Sequence, residues 1–304
     1  MSRAAEDAVR VRVPTPDGRM LDAVAVGADD APVVVFHSGT PGGPVIFSGM
    51  SDATAANGLR LVTYGRPGYG DSDAQPGRTV ADAATDTATV LDHLGVDSFV
   101  TFGASGGGPH ALATAALLPD RCLAAATVAG VAPYDAEGLD WLAGMAEENV
   151  EEFWLAVKGA QALTPFLLAQ AEVLADIRGP DVAASLGGLV PDVDKAVITG
   201  VFADHLAESF RSALRHGIEG WRDDDLAFAA SWGFELAAIT VPVAVWQGGA
   251  DLMVPFAHGR WLADHVPGAH PHLSADHGHL SLLVGNVKAI LGDLMRLGES
   301  GGAR

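Results

Sequence analysis

Hydrophobic positions along the chain follow two rhythms. Val33-Val34-Val35-Phe36 is an unbroken apolar run, and residues 59–64 and 99–102 form two more. Continuous runs of this length predict strands buried on both faces. Between the second and third runs, Val80, Ala83/Ala84, Thr87, Val90/Leu91 and Leu94 recur at helical spacing, which predicts a helix over 79–94. A helix over 109–118 and a strand over 123–131 follow. Upstream, residues 11–14 and 20–26 flank the turn Pro16-Asp17-Gly18 and predict an antiparallel hairpin. Alternating buried strands and helices imply a mostly parallel sheet with right-handed crossovers.

From about Asp135 the rhythm changes, and no strand is predicted before Val241. Two ladders at helical spacing dominate: Leu163, Leu167, Gln170, Leu174, Ile177 and Ile198, Phe202, Leu206, Phe210, Leu214, Ile218. The stretch also holds Trp141, Trp154, Trp221 and Trp232 out of 6 tryptophans. We read residues 135–238 as a helical cap inserted into a core domain made of 1–134 and 239–304. Such an insert would cover the C-terminal edge of the sheet. Most of its aromatics are expected to form its own core, while Trp141, Met145, Trp154 and Trp232 are candidates for an apolar substrate wall. Alternation then resumes, with a strand over 241–247, a helix over 257–265, a strand over 270–273 and a helix over 280–297.

Composition narrows the function classes. Of 304 residues, 49% are hydrophobic and 18% charged, enough for a large packed core. The net charge of -20 disfavours nucleic acid and anionic lipid as partners. One cysteine, Cys122, leaves no internal disulfide framework or cysteine-rich metal module. The N-terminal residues lack the apolar region of a secretory signal. The longest strongly apolar run, 123–132, is about half of the roughly 20 residues a membrane span needs. A cytoplasmic protein acting on a small molecule is expected, with no cofactor and no metal; a homodimer is left open.

The candidate chemistry lies at predicted strand ends, where an open parallel sheet gathers functional groups. Gly103-Ala104-Ser105-Gly106-Gly107 matches G-x-S-x-G between a predicted strand and a predicted helix. That context suits a strained turn that presents the Ser105 hydroxyl beside helix N–H groups. The Gly-rich loop His37 to Gly43 leaves the first buried strand, so the backbone N–H groups of Thr40 and Gly106 are candidates for an oxyanion hole. Asp251 follows the strand at 241–247, and His279 follows the strand at 270–273. A serine hydroxyl needs a neutral imidazole as base and a carboxylate to orient it. Ser105, His279 and Asp251 supply these types, with His277 as rival base and Asp276 as rival carboxylate. Arg66, in the loop Tyr64 to Ser72, is expected to pair with a carboxylate. Five histidines fall between His265 and His279, but their spacing fits no metal signature.

Together these residues resemble the α/β-hydrolase superfamily, over nearly the whole chain. The closest likeness is to capped esterase-like members with His-Gly-Thr-Pro-Gly, Asp-Arg-Pro-Gly-Tyr-Gly-x-Ser and Gly-x-Ser-Gly-Gly-Gly-Pro motifs. Here those read Ser38-Gly39-Thr40-Pro41-Gly42, Gly65-Arg66-Pro67-Gly68-Tyr69-Gly70-Asp71-Ser72 and 103–109. Ser38 stands in place of the motif's histidine, and Gly65 in place of its aspartate. The resemblance implies an α/β fold with an eight-stranded sheet, a lid after the sixth strand, and a cofactor-free Ser–Asp–His triad. A serine at position 105 disfavours epoxide hydrolases and haloalkane dehalogenases, which need a carboxylate nucleophile.

The expected activity is hydrolysis of a small or medium apolar carboxylic ester or lactone. Two alternatives remain. The same three residues can serve a peptidase of the proline-iminopeptidase type or a C–C bond hydrolase; for an amine-binding peptidase, Glu147, Glu148, Glu151 and Glu152 are the acidic lid candidates. The chain can also be a non-catalytic ligand receptor or scaffold.

Overall fold

The computed structural model describes residues 8–301; the start of the N-terminal segment and the end of the Gly-rich tail lie outside the described residues. Eight strands form one sheet in the order β1-β2-β4-β3-β5-β6-β7-β8. β1 (Val9–Pro14) and β2 (Met20–Val26) make the predicted hairpin, and β2 pairs antiparallel with β4 (Arg60–Tyr64). The remaining strands are parallel: β3 (Val33–His37), β5 (Phe99–Ala104), β6 (Cys122–Val128), β7 (Val243–Gly248) and β8 (Ala269–Ser274). β3, β4 and β7 are buried at every position, which explains their uninterrupted apolar runs. β8 is an edge strand with no fully buried residue.

Helices cover both faces. α1 (Ser48–Ala56) and the long terminal helix α11 (His279–Gly301) close one face through Met50, Ala53, Leu282, Ile290, Leu291 and Leu294. The other face is covered by α2 (Asp82–His93), α3 (Gly107–Leu117) and α10 (Phe256–His265), with Leu91, Leu112 and Leu262 fully buried.

Between β6 and β7 the described residues contain helices and no strand. α4 (Glu147–Val157) and α5 (Ala160–Leu174) are followed by the short α6 (Val182–Ser185) and α7 (Asp192–Lys195), then by α8 (Gly200–Ala213) and α9 (Glu219–Phe228). The first ladder becomes α5 as far as Leu174, with Leu163 and Leu167 fully buried, and Ile177 lies beyond the helix end. The second ladder does not remain one helix. α8 stops at Ala213, Gly217 takes a φ of 135°, and α9 starts at Glu219. Apolar residues of this cap join the core on the α3 face, so cap and sheet share one continuous cluster.

Candidate active site

Ser105 stands in the turn between β5 and α3, with φ of 54°. A non-glycine residue at positive φ is strained and persists only where its surroundings enforce it. Here they do. The Ser105 N–H donates to Val128 O at 2.9 Å, and Gly108 N–H donates to Ser105 O at 2.9 Å. The turn is so tight that a Cβ at Gly103 would fall 1.9 Å from Gly107 O, and one at Gly106 would fall 2.3 Å from Thr40 Oγ1. The glycines of the motif are thus space requirements of the bend.

Asp251 follows β7 and is held by four donors. Its Oδ1 accepts the N–H groups of Met253 (2.9 Å) and Val254 (2.8 Å), and its Oδ2 accepts Gln247 Nε2 (3.1 Å). The fourth donor is His279 Nδ1, at 2.8 Å from Oδ2. With Nδ1–H donating to the carboxylate, Nε2 carries the ring's lone pair. Burial pulls the His279 pKa down, but the Asp251 charge, the Asp251 hydrogen bond and the Asp194 charge outweigh it, leaving it raised above 6.5. The rivals lie elsewhere. His277 Nε2 faces Asn286 Nδ2 at 3.4 Å, and Asp276 is exposed to solvent.

Ser105 and His279 line one cavity of about 250 Å³. Among the described residues no hydrogen bond runs from Ser105 Oγ to the imidazole; such bonds commonly tighten only when substrate binds. Gly39 of the β3 loop comes close, since a Cβ there would sit 3.3 Å from Ser105 Cβ. Neither the Thr40 nor the Gly106 N–H is spent on another backbone carbonyl among the described residues.

The β3 loop is fixed from below by a buried charge cluster. Asp224, on α9 of the cap, accepts Thr40 Oγ1 (2.6 Å) and Tyr69 OH (2.9 Å), and pairs with Arg66 (2.5 Å) and Arg78 (2.7 Å). Burial would raise the Asp224 pKa, but the Arg66 and Arg78 charges overcome it and hold the carboxyl far below the usual carboxylate range. Arg66 also donates to Ser38 O at 2.6 Å and Gly39 O at 3.1 Å. The carboxylate expected opposite Arg66 is therefore Asp224.

A family model described as "alpha/beta hydrolase fold" matches residues 32–286. The chain belongs to the alpha/beta hydrolase fold family. It is 27% identical over 271 residues to the uncharacterized hydrolase YcgS of Bacillus subtilis (strain 168), covering 86% of this chain and 88% of that one. It is 28% identical over 245 residues to a pimeloyl-[acyl-carrier protein] methyl ester esterase of Aromatoleum aromaticum, covering 78% and 87%. Among solved structures, a hydrolase from Pseudomonas aeruginosa superposes with a TM-score of 0.68 at 22% identity, covering 95% of this chain and 97% of that one.

Within this alpha/beta hydrolase fold, the cap residues nominated from sequence are not the ones on the cavity wall. Trp141, Met145, Trp154 and Trp232 are all absent from it. Trp141 is buried against Phe153 and His258, and its Nε1 donates to Ala132 O at 2.7 Å. Met145 is buried in the core cluster, and Trp232 stacks on Phe234. Trp154 is 55% exposed with Lys158 over its ring. For Trp154 helix phase decides: Phe153, one position away on α4, lines the cavity instead. Phe166, Phe202, Phe210, Trp221 and Phe228 complete that apolar wall.

Sequence reasoning named Glu152 as a lid candidate but missed its partner, Asp225. Asp225 and Glu152 both line the cavity and share a side-chain hydrogen bond, and Trp221 Nε1 donates to Glu152 Oε1 at 2.6 Å. Burial first, then the Glu152 charge, push the Asp225 pKa well up, and burial raises Glu152 too, so the pair carries a shared proton at neutral pH. Asp225 Oδ2 is buried without a partner. Of the four acidic lid candidates, Glu148 and Glu152 reach the cavity, while Glu147 and Glu151 are solvent-exposed.

Proposed function

We propose that the protein is a serine hydrolase of small or medium, largely apolar carboxylic esters or lactones, working through Ser105, His279 and Asp251. The observation that carries this reading is the 2.8 Å bond from His279 Nδ1 to Asp251, on a cavity wall that also presents the strained Ser105. Ser105 Oγ attacks the ester carbonyl while His279 Nε2 takes its proton. The N–H groups of Thr40 and Gly106 hold the tetrahedral oxyanion, each contributing about 3 kcal/mol of transition-state stabilisation. Collapse breaks the C–O bond, and His279 returns the proton to the leaving alcohol. Water, deprotonated by His279, then attacks the acyl-Ser105 carbonyl and releases the acid. The aromatic cap wall and the cavity of about 250 Å³ support an apolar substrate of modest size. The ester esterase among the relatives agrees with this reaction class.

An acyl-length series of p-nitrophenyl esters, run beside Ser105→Ala, tests the reading. Activity should fall at least about a thousandfold in the variant, and a fluorophosphonate should label the Ser105 peptide of the wild type. Labelling at another residue, or undiminished turnover by the variant, would sink it.

A second reading has its own observation, the unpartnered Asp225 Oδ2 beside Glu152. A carboxyl pair sharing one proton favours a substrate whose remote end donates a hydrogen bond, above all a protonated amine. This is the chemistry an amine-recognising peptidase needs. A higher kcat/KM for amino-acyl naphthylamides than for alkyl esters would put this reading first.

A further inference from the structure

α11 begins at His279, so its first backbone N–H groups have no partner within the helix. An N-cap side chain usually meets them. Here the N-cap position is Gly278, which has none. The missing carboxylate comes from α7 in the cap. Asp194 Oδ2 accepts the His279 N–H at 2.8 Å, and Asp194 Oδ1 accepts the Ser281 N–H at 2.8 Å. In return, Ser281 Oγ accepts the Gly278 N–H at 2.8 Å. The result is a capping box divided between two parts of the molecule: Ser281 supplies the reciprocal half, and a residue of the lid supplies the other. The fit is close. A Cβ at position 278 would lie 2.6 Å from the Asp194 carboxylate, and the Asp194 side chain is fully buried. The carboxylate also faces the positive end of the α11 dipole.

We propose that Asp194 is a positioning residue for His279, so that the seated cap and the aligned imidazole are a single arrangement. This inference rests on the reading of His279 as the base. His279 is fixed twice: Asp251 holds its ring through Nδ1, and Asp194 holds its backbone. The carboxylates acting on the imidazole are these two, from the loop after β7 and from α7. If the cap lifts, α7 withdraws Asp194, the first turn of α11 loses its cap, and the ring loses its register toward Ser105.

Three variants test this: Asp194→Asn, Gly278→Ala, and the double variant Asp194→Ala with Gly278→Asp. The first removes the charge and one acceptor. The second pushes the carboxylate away without removing it. The third returns a capping side chain from the helix's own N-cap position. Expected for Asp194→Asn is a kcat loss of about 10- to 100-fold with little change in KM. The NMR titration midpoint of the His279 imidazole should also move to lower pH. Gly278→Ala should lose kcat in the same sense, and the double variant should recover most of it. Unchanged kcat and an unchanged imidazole midpoint in Asp194→Asn, with only the thermal midpoint lowered, would reduce Asp194 to a cap-docking contact and overturn the proposal. The imidazole titration needs no substrate, so it still judges Asp194 if no ester is turned over and the hydrolase reading fails. Should Asp194→Asn not fold, Gly278→Ala and the double variant still decide, and failure of the double variant to regain kcat counts against positioning.

Discussion

A raised imidazole pKa has a direct kinetic consequence at His279. Only the neutral ring can take the Ser105 proton, so activity is lost as the pH falls through that pKa. The structure sets it above 6.5, because the charges of Asp251 and Asp194 together outweigh burial. The acid limb of kcat/KM should therefore have its midpoint above the ordinary imidazole value of 6.5. A pH–rate profile on a p-nitrophenyl ester reads this, and a midpoint well below 6.5 would contradict the geometry. At Gly106 an added methyl would meet Thr40 Oγ1 at 2.3 Å and Thr40 Cβ at 2.8 Å. Gly106→Ala should push the two proposed oxyanion donors apart and cost about 10²-fold in kcat, with intact folding verified by circular dichroism. Ser105, Asp251 and His279 could be named from sequence because each follows a predicted strand, where local motif and chain position carry the signal. Asp224, Asp194 and Asp225 could not, because their partners lie far off in sequence and only folding brings them close.

Among the cap helices, α9 is tied by a buried charge cluster to the loops that follow β3 and β4. Asp224 is fully buried with Arg66 and Arg78. Its pKa lies below the ordinary carboxylate range, so its contribution to stability is complete at neutral pH and is lost only as the pH falls through that lowered value. Removing one partner of such a buried group leaves uncompensated charge. Asp224→Ala should cost about 3–5 kcal/mol, read as a lower denaturant midpoint with an unchanged slope; a loss under about 1 kcal/mol would mean that the two arginines find other partners. Strands were legible wherever both faces are buried, as at β3, β4 and β7. α1 was missed because Ser48–Ala56 consists largely of small and weakly apolar residues with little periodic contrast. The ladder ending at Ile218 was extended too far, because apolar spacing continues through Gly217 although the backbone turns there.

Over the whole molecule, acidic groups outnumber basic ones and the net charge is -20. Self-repulsion of that size opposes compaction. Raising sodium chloride to about 1 M shrinks the screening length to about 3 Å, so the thermal midpoint should climb by a few degrees. A falling midpoint would mean that exposed ion pairs outweigh the repulsion. No helix among the described residues is long and apolar enough to cross a membrane. The alternation of strands and helices and the helical insert follow from buried runs and helical ladders, whereas the strand order, the core shared by sheet and cap, and the phase of each cap helix, and so the identity of the cavity wall, needed three dimensions. One adjacency in the cap reaches further. Asp224 clamps α9 to the loops below, and its neighbour Asp225 lines the cavity. A descendant sequence can exchange the second aspartate for a new appetite while the first keeps the scaffold intact, so selectivity can drift one position away from a residue that tolerates no drift.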